Sequence, residues 1–352
     1  MKGDKMKKLL AILVCMSIMC GCAAQNAGNA ESSPQETAAP AESTAADTEA
    51  SVRITEDAAQ ETAESTETAE EQKEEEKSME RFASLITELP PEGYDRKEEG
   101  VVYPEFQKYT YYSSTVERKS RVNVLMPADA QEGETFPVLY ILHGFWDNED
   151  WMTRDNVAIS RILTNLQNEG KAERMIVVLP YIYCSKDNPY CTAMDLENSL
   201  AYDNFINDLQ TDLIPFITEN FPVKEGRENR AVTGFSMGGR ESLFIATQMS
   251  DYFGYVGACC PAPGLVTIPG SPMHPGQITP AELSFPENKP LALLISYSKA
   301  DGVVGSSPAS YVDILEQNGE EHLVHVMEST GHDPTSVKPH IYNYLQMLFR
   351  SV

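Results

Sequence analysis

The stretch AVTGFSMGGRE, Ala231 to Glu241, sets one serine between glycines, after an apolar run and before a helix-like one. Such a pattern makes either a tight structural turn or a turn that lifts one hydroxyl into a pocket. A serine hydroxyl at its own pKa is a poor nucleophile; it needs a base, and the base needs an orienting acid. The base expected for Ser236 is His332, in HLVHVMESTGHDP, and the acid is Asp301, in LALLISYSKADG. Each sits just past a strand-like run. The rivals fit less well. His322 and His325 fall in the last strand-like run and His340 in the closing helix, positions that suit structural roles. His274 lies in a Pro-rich loop where it could line a pocket. Asp333 is next to His332 in the chain, and neighbouring side chains rarely face each other; Asp313 falls on a helix.

These residues need a frame. KYTYYSSTVERKSRVNVLMP reads as two extended runs joined by a polar turn. FPVLYILHG, MIVVLPY, RAVTGFS, YVGACC, LALLISYSKAD and HLVHVMES follow as short apolar runs. Segments of helical character come between or after them: VAISRILTNLQNEG, YDNFINDLQTDLIPFITENF, GGRESLFIATQMS, ASYVDILEQNG and VKPHIYNYLQMLF. Apolar strands alternating with amphipathic helices imply an α/β fold, a mostly parallel sheet covered on both faces. Gly234-Phe235-Ser236-Met237-Gly238 then lies at a strand-to-helix turn, the setting of the nucleophile elbow in the α/β-hydrolase fold, whose chain order is Ser, Asp or Glu, His. Tetrahedral intermediates also need donors. The backbone N–H of Met237 is one, and the N–H of Phe145, in the loop after LYILHG, is the expected second. His143 is expected to shape that loop rather than to act as a base.

The chain of 352 residues carries a net charge of −26, with no clustered Lys and Arg of the kind that binds phosphate, which excludes nucleic acid as a partner. Residues 1–22 bear Lys2, Lys5, Lys7 and Lys8, then an apolar run from Leu9 to Cys20, too short for a comfortable membrane span. With Gly21 before Cys22, the segment resembles a bacterial lipoprotein signal, and Cys22 is the expected lipidation site and membrane anchor. Residues 23–95 are expected to form a solvated acidic tether. Ala, Glu, Thr and Ser dominate its first part, and Ala23 to Glu80 holds 16 acidic and 3 basic residues. Residues 96–352 are the expected globular domain.

Among seven cysteines, Cys184 and Cys191 could pair as a disulfide in an exported protein, whereas adjacent Cys259 and Cys260 are expected to pack as small hydrophobes. No spacing reads as a zinc site.

The residues assembled resemble the esterase D-like branch of the α/β-hydrolases, including the feruloyl and acetylxylan esterases of carbohydrate esterase family 1. FPVLYILHGFWDNEDW, DLIPFITENFPV leading to RAVTGFSMGGRESL, SKADG and STGHD carry the likeness, from about Val102 to Phe349. It implies hydrolysis of carboxylic esters with no metal and no organic cofactor. It leaves the substrate open between an acylated carbohydrate and another small ester, since S-formylglutathione hydrolases, siderophore esterases and mycolyltransferases belong to the same branch. A carbohydrate-binding surface protein without catalysis is a third possibility, against which the full set of catalytic residue types weighs. Trp146, Trp151 and Tyr183, with Tyr181 and Tyr190, follow strands on the side where ligands enter such sheets; they could stack on an aryl or sugar ring, or most could be ordinary packing aromatics. The long Pro-rich loop after Cys260, residues 261–290, could fold over Ser236.

Overall fold

A computed structural model describes residues 78–267 and 274–350. Cys22, the signal-like segment and most of the expected tether lie outside the described residues. Eight strands form one sheet: β1 (Gln107–Ser113), β2 (Arg118–Leu125), β3 (Val138–Leu142), β4 (Ile176–Pro180), β5 (Arg230–Gly234), β6 (Tyr255–Cys259), β7 (Ala292–Ser298) and β8 (Leu323–Met327). Their order is β1-β2-β4-β3-β5-β6-β7-β8. The hairpin β1–β2 is antiparallel, running from Gln107 opposite Val124 to Ser113 opposite Arg118, and β2 joins β4 antiparallel. The remaining pairs are parallel, with Val138 opposite Arg230 and Leu142 opposite Gly234 at the centre. Strands β3, β4 and β6 are buried at every residue, which is why they read as unbroken apolar runs.

Helices α1 (Ile159–Asn168), α2 (Leu196–Asp203), α3 (Phe205–Asp208), α4 (Ile214–Asn220), α5 (Met237–Gln248), α6 (Ser307–Gln317) and α7 (Pro334–Leu345) cover the sheet. Ile162 of α1 and Ile341 of α7 share one apolar core with Leu139 and Leu294; Leu243 of α5 and Leu315 of α6 share the other with Tyr140 and Val256. The segment of helical character expected over 202–221 is helical, though not as one regular α-helix. A π-turn at Leu209–Leu213 separates α3 from α4, directly ahead of Pro215, which has no N–H to donate to Thr211.

The boundary expected at residue 96 also moves. A helical segment at 78–85 precedes a strap that lies on the body. Phe82 is buried in the α1–α7 core, Asn343 Nδ2 donates to Thr87 O at 2.8 Å, and His325 Nε2 donates to Glu88 O at 2.9 Å. One buried phenylalanine among many acidic residues leaves no periodic trace, so composition alone assigned this strap to the tether. No helix among the described residues is long and apolar enough to cross a membrane.

Candidate active site

Ser236 caps the N-terminus of α5 at φ 57°, ψ −112°, a conformation that costs a non-glycine residue about 1–3 kcal/mol. The surrounding backbone holds it there. Ser236 N donates to Cys259 O at 2.9 Å, and Ser236 O accepts from Arg240 N at 3.0 Å and Ala262 N at 2.9 Å. The two flanking glycines are required by space. A Cβ on Gly234 would stand 2.4 Å from the Gly238 carbonyl, and one on Gly238 would stand 2.2 Å from Leu142 O.

The imidazole of His332 lies in the turn between β8 and α7. Its Nε2 is 2.9 Å from Ser236 Oγ and its Nδ1 is 2.7 Å from Asp301 Oδ2. Asp301, just past β7, turns Oδ1 to Val303 N at 2.9 Å. Three residues separated by up to 96 positions therefore meet beyond the C-terminal ends of β5, β7 and β8. Burial alone would raise the Asp301 carboxyl, but the His332 ring and the Val303 N–H outweigh it and hold it below the ordinary carboxylate value. For His332, burial disfavours the charged form; contacts with the Cys260 thiol and the Asp301 carboxylate prevail and raise it above the usual imidazole value. The His332 turn is pinned by Ser336 Oγ donating to Gly331 O at 2.6 Å and Ser298 Oγ donating to Thr330 O at 2.7 Å.

The rivals have other work. Asp333 caps α7, its Oδ1 accepting from Thr335 N at 2.7 Å. Asp313 sits on α6. His322 lies one residue ahead of β8 and pairs with Glu320 O. His325 and His340 both meet Ser296 Oγ, at 3.1 and 2.7 Å, in the core. His143 is buried and held neutral, with its pKa lowered to about 4 by burial. Its Nδ1–H donates to Gly144 O at 2.8 Å and its Nε2 accepts from Ile182 N at 3.1 Å, so it shapes the loop as expected.

That loop runs beside the serine: a Cβ on Gly144 would lie 3.5 Å from Ser236 Cβ. Among the described residues, the N–H groups of Met237 and Phe145 donate no hydrogen bond, which leaves both free for a ligand. Phe145 packs against Tyr202, whose hydroxyl accepts from Trp146 N at 3.0 Å.

The aromatic expectations divide. Trp146 is 57 % exposed beside the loop. Trp151 is 8 % exposed and lies parallel to Phe235 at 5.4 Å, so it belongs to the packing under the site. Tyr183 is 3 % exposed and donates to Asn198 Oδ1 at 2.7 Å, with Tyr202 5.2 Å away. It too is a core residue, because Cys184 N donates to Ala201 O at 2.9 Å and draws its loop against α2. Cys184 and Cys191 are free thiols, the first buried and the second half-buried. Cys259 packs as expected, but Cys260, at φ 45°, sets its thiol against His332. The sulfur and one ligand atom each from Asp301 and His332 lie within 4.8 Å of one another.

A buried ionic network was not foreseen. Arg240, fully buried on α5, binds Glu241 Oε1 at 2.7 Å and pairs with Asp203 of α2. His274 Nε2 joins Asp203 Oδ2 at 2.8 Å and Gln277 Nε2 joins Glu241 Oε2 at 2.9 Å, tying the stem of the Pro-rich loop to the nucleophile helix. The six positions between Thr267 and His274, at the tip of that loop, lie outside the described residues.

A sheet of this order, with serine, carboxylate and imidazole joined in that chain order beyond its strand ends, defines an α/β-hydrolase-fold carboxylic ester hydrolase. The Esterase family model matches residues 113–293, half of the chain, and the chain belongs to this family. The structure is similar to that of a CE1 ferulic acid esterase from Anaeromyces mucronatus, solved in complex with ferulic acid. The two are 40 % identical with a TM-score of 0.71, covering 75 % of this chain and 97 % of that one. Over 157 residues, 43 % of this chain, it is 32 % identical to an endo-1,4-beta-xylanase/feruloyl esterase of Xylanibacter ruminicola, and it spans about a fifth of that protein's length (21 %). An S-formylglutathione hydrolase from Staphylococcus aureus shares the fold alone, at 17 % identity and a TM-score of 0.51, covering 71 % of this chain and all of that one (100 %).

Proposed function

We propose that the protein is a surface-tethered serine esterase that removes acyl groups, feruloyl or acetyl, from polysaccharide fragments through an acyl-enzyme. The observation that carries the catalytic reading is the continuous hydrogen-bonded line from Asp301 through His332 to Ser236. The likeness to a ferulic acid esterase over nearly all of that chain supports the acyl group, and the xylanase/feruloyl esterase supports the polysaccharide.

In this reading Ser236 Oγ attacks the ester carbonyl carbon while its proton passes to His332 Nε2. Asp301 steadies the imidazolium through Nδ1–H. The oxyanion takes hydrogen bonds from the N–H groups of Met237 and Phe145, each worth on the order of 100- to 1000-fold in rate. As the C–O bond breaks, His332 returns the proton to the leaving alcohol oxygen. Water, deprotonated by the same nitrogen, then attacks the acyl-enzyme. The free acid leaves and Ser236 regains its proton.

The test is hydrolysis of methyl ferulate and p-nitrophenyl acetate by wild type and by Ser236→Ala. A loss of about 10⁴-fold or more in kcat is expected, and equal rates in the two proteins would overturn the reading. Turnover of the acetate alone would assign an acetylesterase. Tethering rests on the four lysines, the apolar run and Gly21-Cys22; Cys22→Ala is expected to release the protein from membranes, and retention would count against the anchor.

A further inference from the structure

The thiol of Cys260 stands against the imidazole that serves as base, yet no step of ester hydrolysis uses it. The backbone holds it in an unfavourable shape. Cys260 follows β6 directly at φ 45°, in the left-handed region that residues with a side chain rarely adopt. Its N–H donates to Ser296 O of β7 at 2.7 Å. A glycine would make the same turn with less strain, but it would bring no sulfur to His332.

The neighbours of that sulfur are a carboxylate and an imidazole. Among the described residues, no other three side chains of the His, Cys, Asp and Glu types bring their ligand atoms within 4.8 Å of one another. Thiolate, imidazole and carboxylate are the donors of zinc sites that have three protein ligands and one open position. Zinc bonds of about 2.3 Å to sulfur and 2.0–2.2 Å to nitrogen and oxygen place tetrahedral ligands roughly 3.4–3.6 Å apart. Asp301 Oδ2 and His332 Nδ1 are 2.7 Å apart, so this pair needs to part by roughly 0.7 Å to admit the ion. Charge balances as well. A dication between one thiolate and one carboxylate leaves no net charge, which limits the cost of binding where Cys260 and Asp301 are buried. Sulfur and nitrogen donors disfavour Mg²⁺ and Ca²⁺, hard cations that take oxygen ligands.

We infer that Cys260, Asp301 and His332 form an inhibitory site for a thiophilic divalent cation, Zn²⁺ foremost. The ion binds Cys260 Sγ, Asp301 Oδ2 and His332 Nδ1, with water as the fourth ligand. The thiol proton passes to solvent, and the imidazole proton moves from Nδ1 to Nε2. Nε2 then presents an N–H to Ser236 Oγ, so the serine has no acceptor for its own proton. Hydrolysis stops while the nucleophile and the oxyanion donors stay in place. Binding of the ion is independent of the esterase reading; only the inhibition rests on it.

Two readouts keep the site and that reading apart. Cobalt(II) titrated into the full-length Ser236→Ala protein involves no catalysis. A thiolate-to-cobalt charge-transfer band is expected, lost on adding Cys260→Ala and kept on adding Cys191→Ala, the half-buried free thiol. No band, or a band that Cys191→Ala removes and Cys260→Ala leaves whole, would overturn the site. In the otherwise wild-type enzyme, micromolar Zn²⁺ should inhibit hydrolysis of methyl ferulate, and EDTA should restore it. Groups that merely support a ligand are worth about 10- to 100-fold in metal affinity. Cys260→Ala and Cys260→Ser should therefore each raise the Zn²⁺ concentration for half-inhibition by at least about tenfold. Unchanged inhibition in both variants, or a loss of activity that EDTA does not reverse, would count against the site. Absence of turnover without metal would instead remove the esterase reading and leave the cobalt titration to decide.

Discussion

The ring of Phe235 lies 4.5 Å from the imidazole of His332 and stacks, 4° from parallel, on the indole of Trp151 at 5.4 Å. The residue just before the nucleophile thus forms the support of the base, and Trp151 supports Phe235 in turn. Trp151→Ala should cost about 3–5 kcal/mol of stability. It should also lower kcat and kcat/KM together, because a loosened His332 weakens the transition state. A substrate contact would instead raise KM with kcat intact. Denaturant melts and steady-state kinetics on methyl ferulate distinguish the two.

Strain at Ser236 gives a stability signature independent of activity. Glycine tolerates the φ of 57° that serine and alanine do not. Ser236→Gly is therefore expected to be more stable than Ser236→Ala by about 1 kcal/mol, although both lose activity. Chemical denaturation midpoints of the two variants test this.

The acid limb of kcat/KM reports His332, which must be neutral to accept the serine proton. Its pKa is raised, so activity is lost as pH falls through a value above 6.5. Removing a contact that raises it moves the limb to lower pH. Cys260→Ala is expected to do so with kcat largely kept. Asp301→Asn should shift the limb the same way and reduce kcat by about 10³- to 10⁴-fold. A limb that stays in place in Cys260→Ala would show that the thiol does not act on the imidazole.

Arg240→Met would leave Asp203 and Glu241 without their shared cation in a buried setting. A loss of about 3–5 kcal/mol is expected. Adding Glu241→Gln should recover part of it, since one uncompensated charge is then gone. Equilibrium urea unfolding of the single and double variants measures both steps.

Much of this was legible in the chain. The parallel strands are buried on both faces and so appear as apolar runs, and the elbow is recognisable because Gly234 and Gly238 answer a steric demand that no other residue meets. Asp301 and His332 follow from the chain order this fold imposes. The rest had no local signal. Trp151 and Tyr183 lie in irregular loops, where no periodicity separates an inward ring from an outward one. Arg240 and Glu241 carry no local sign of burial; it comes only when Asp203, 37 positions earlier in the chain, is brought against Arg240. The strap escaped because Thr87 finds Asn343 across 256 positions.

Those distant bonds have a mechanical meaning. The strap is held by the socket of Phe82 and by the Thr87–Asn343 and Glu88–His325 links. These links fasten onto α7 and β8, the two elements that bracket the His332 turn, so removing the chain up to residue 96 would strip contacts from the elements that carry the base.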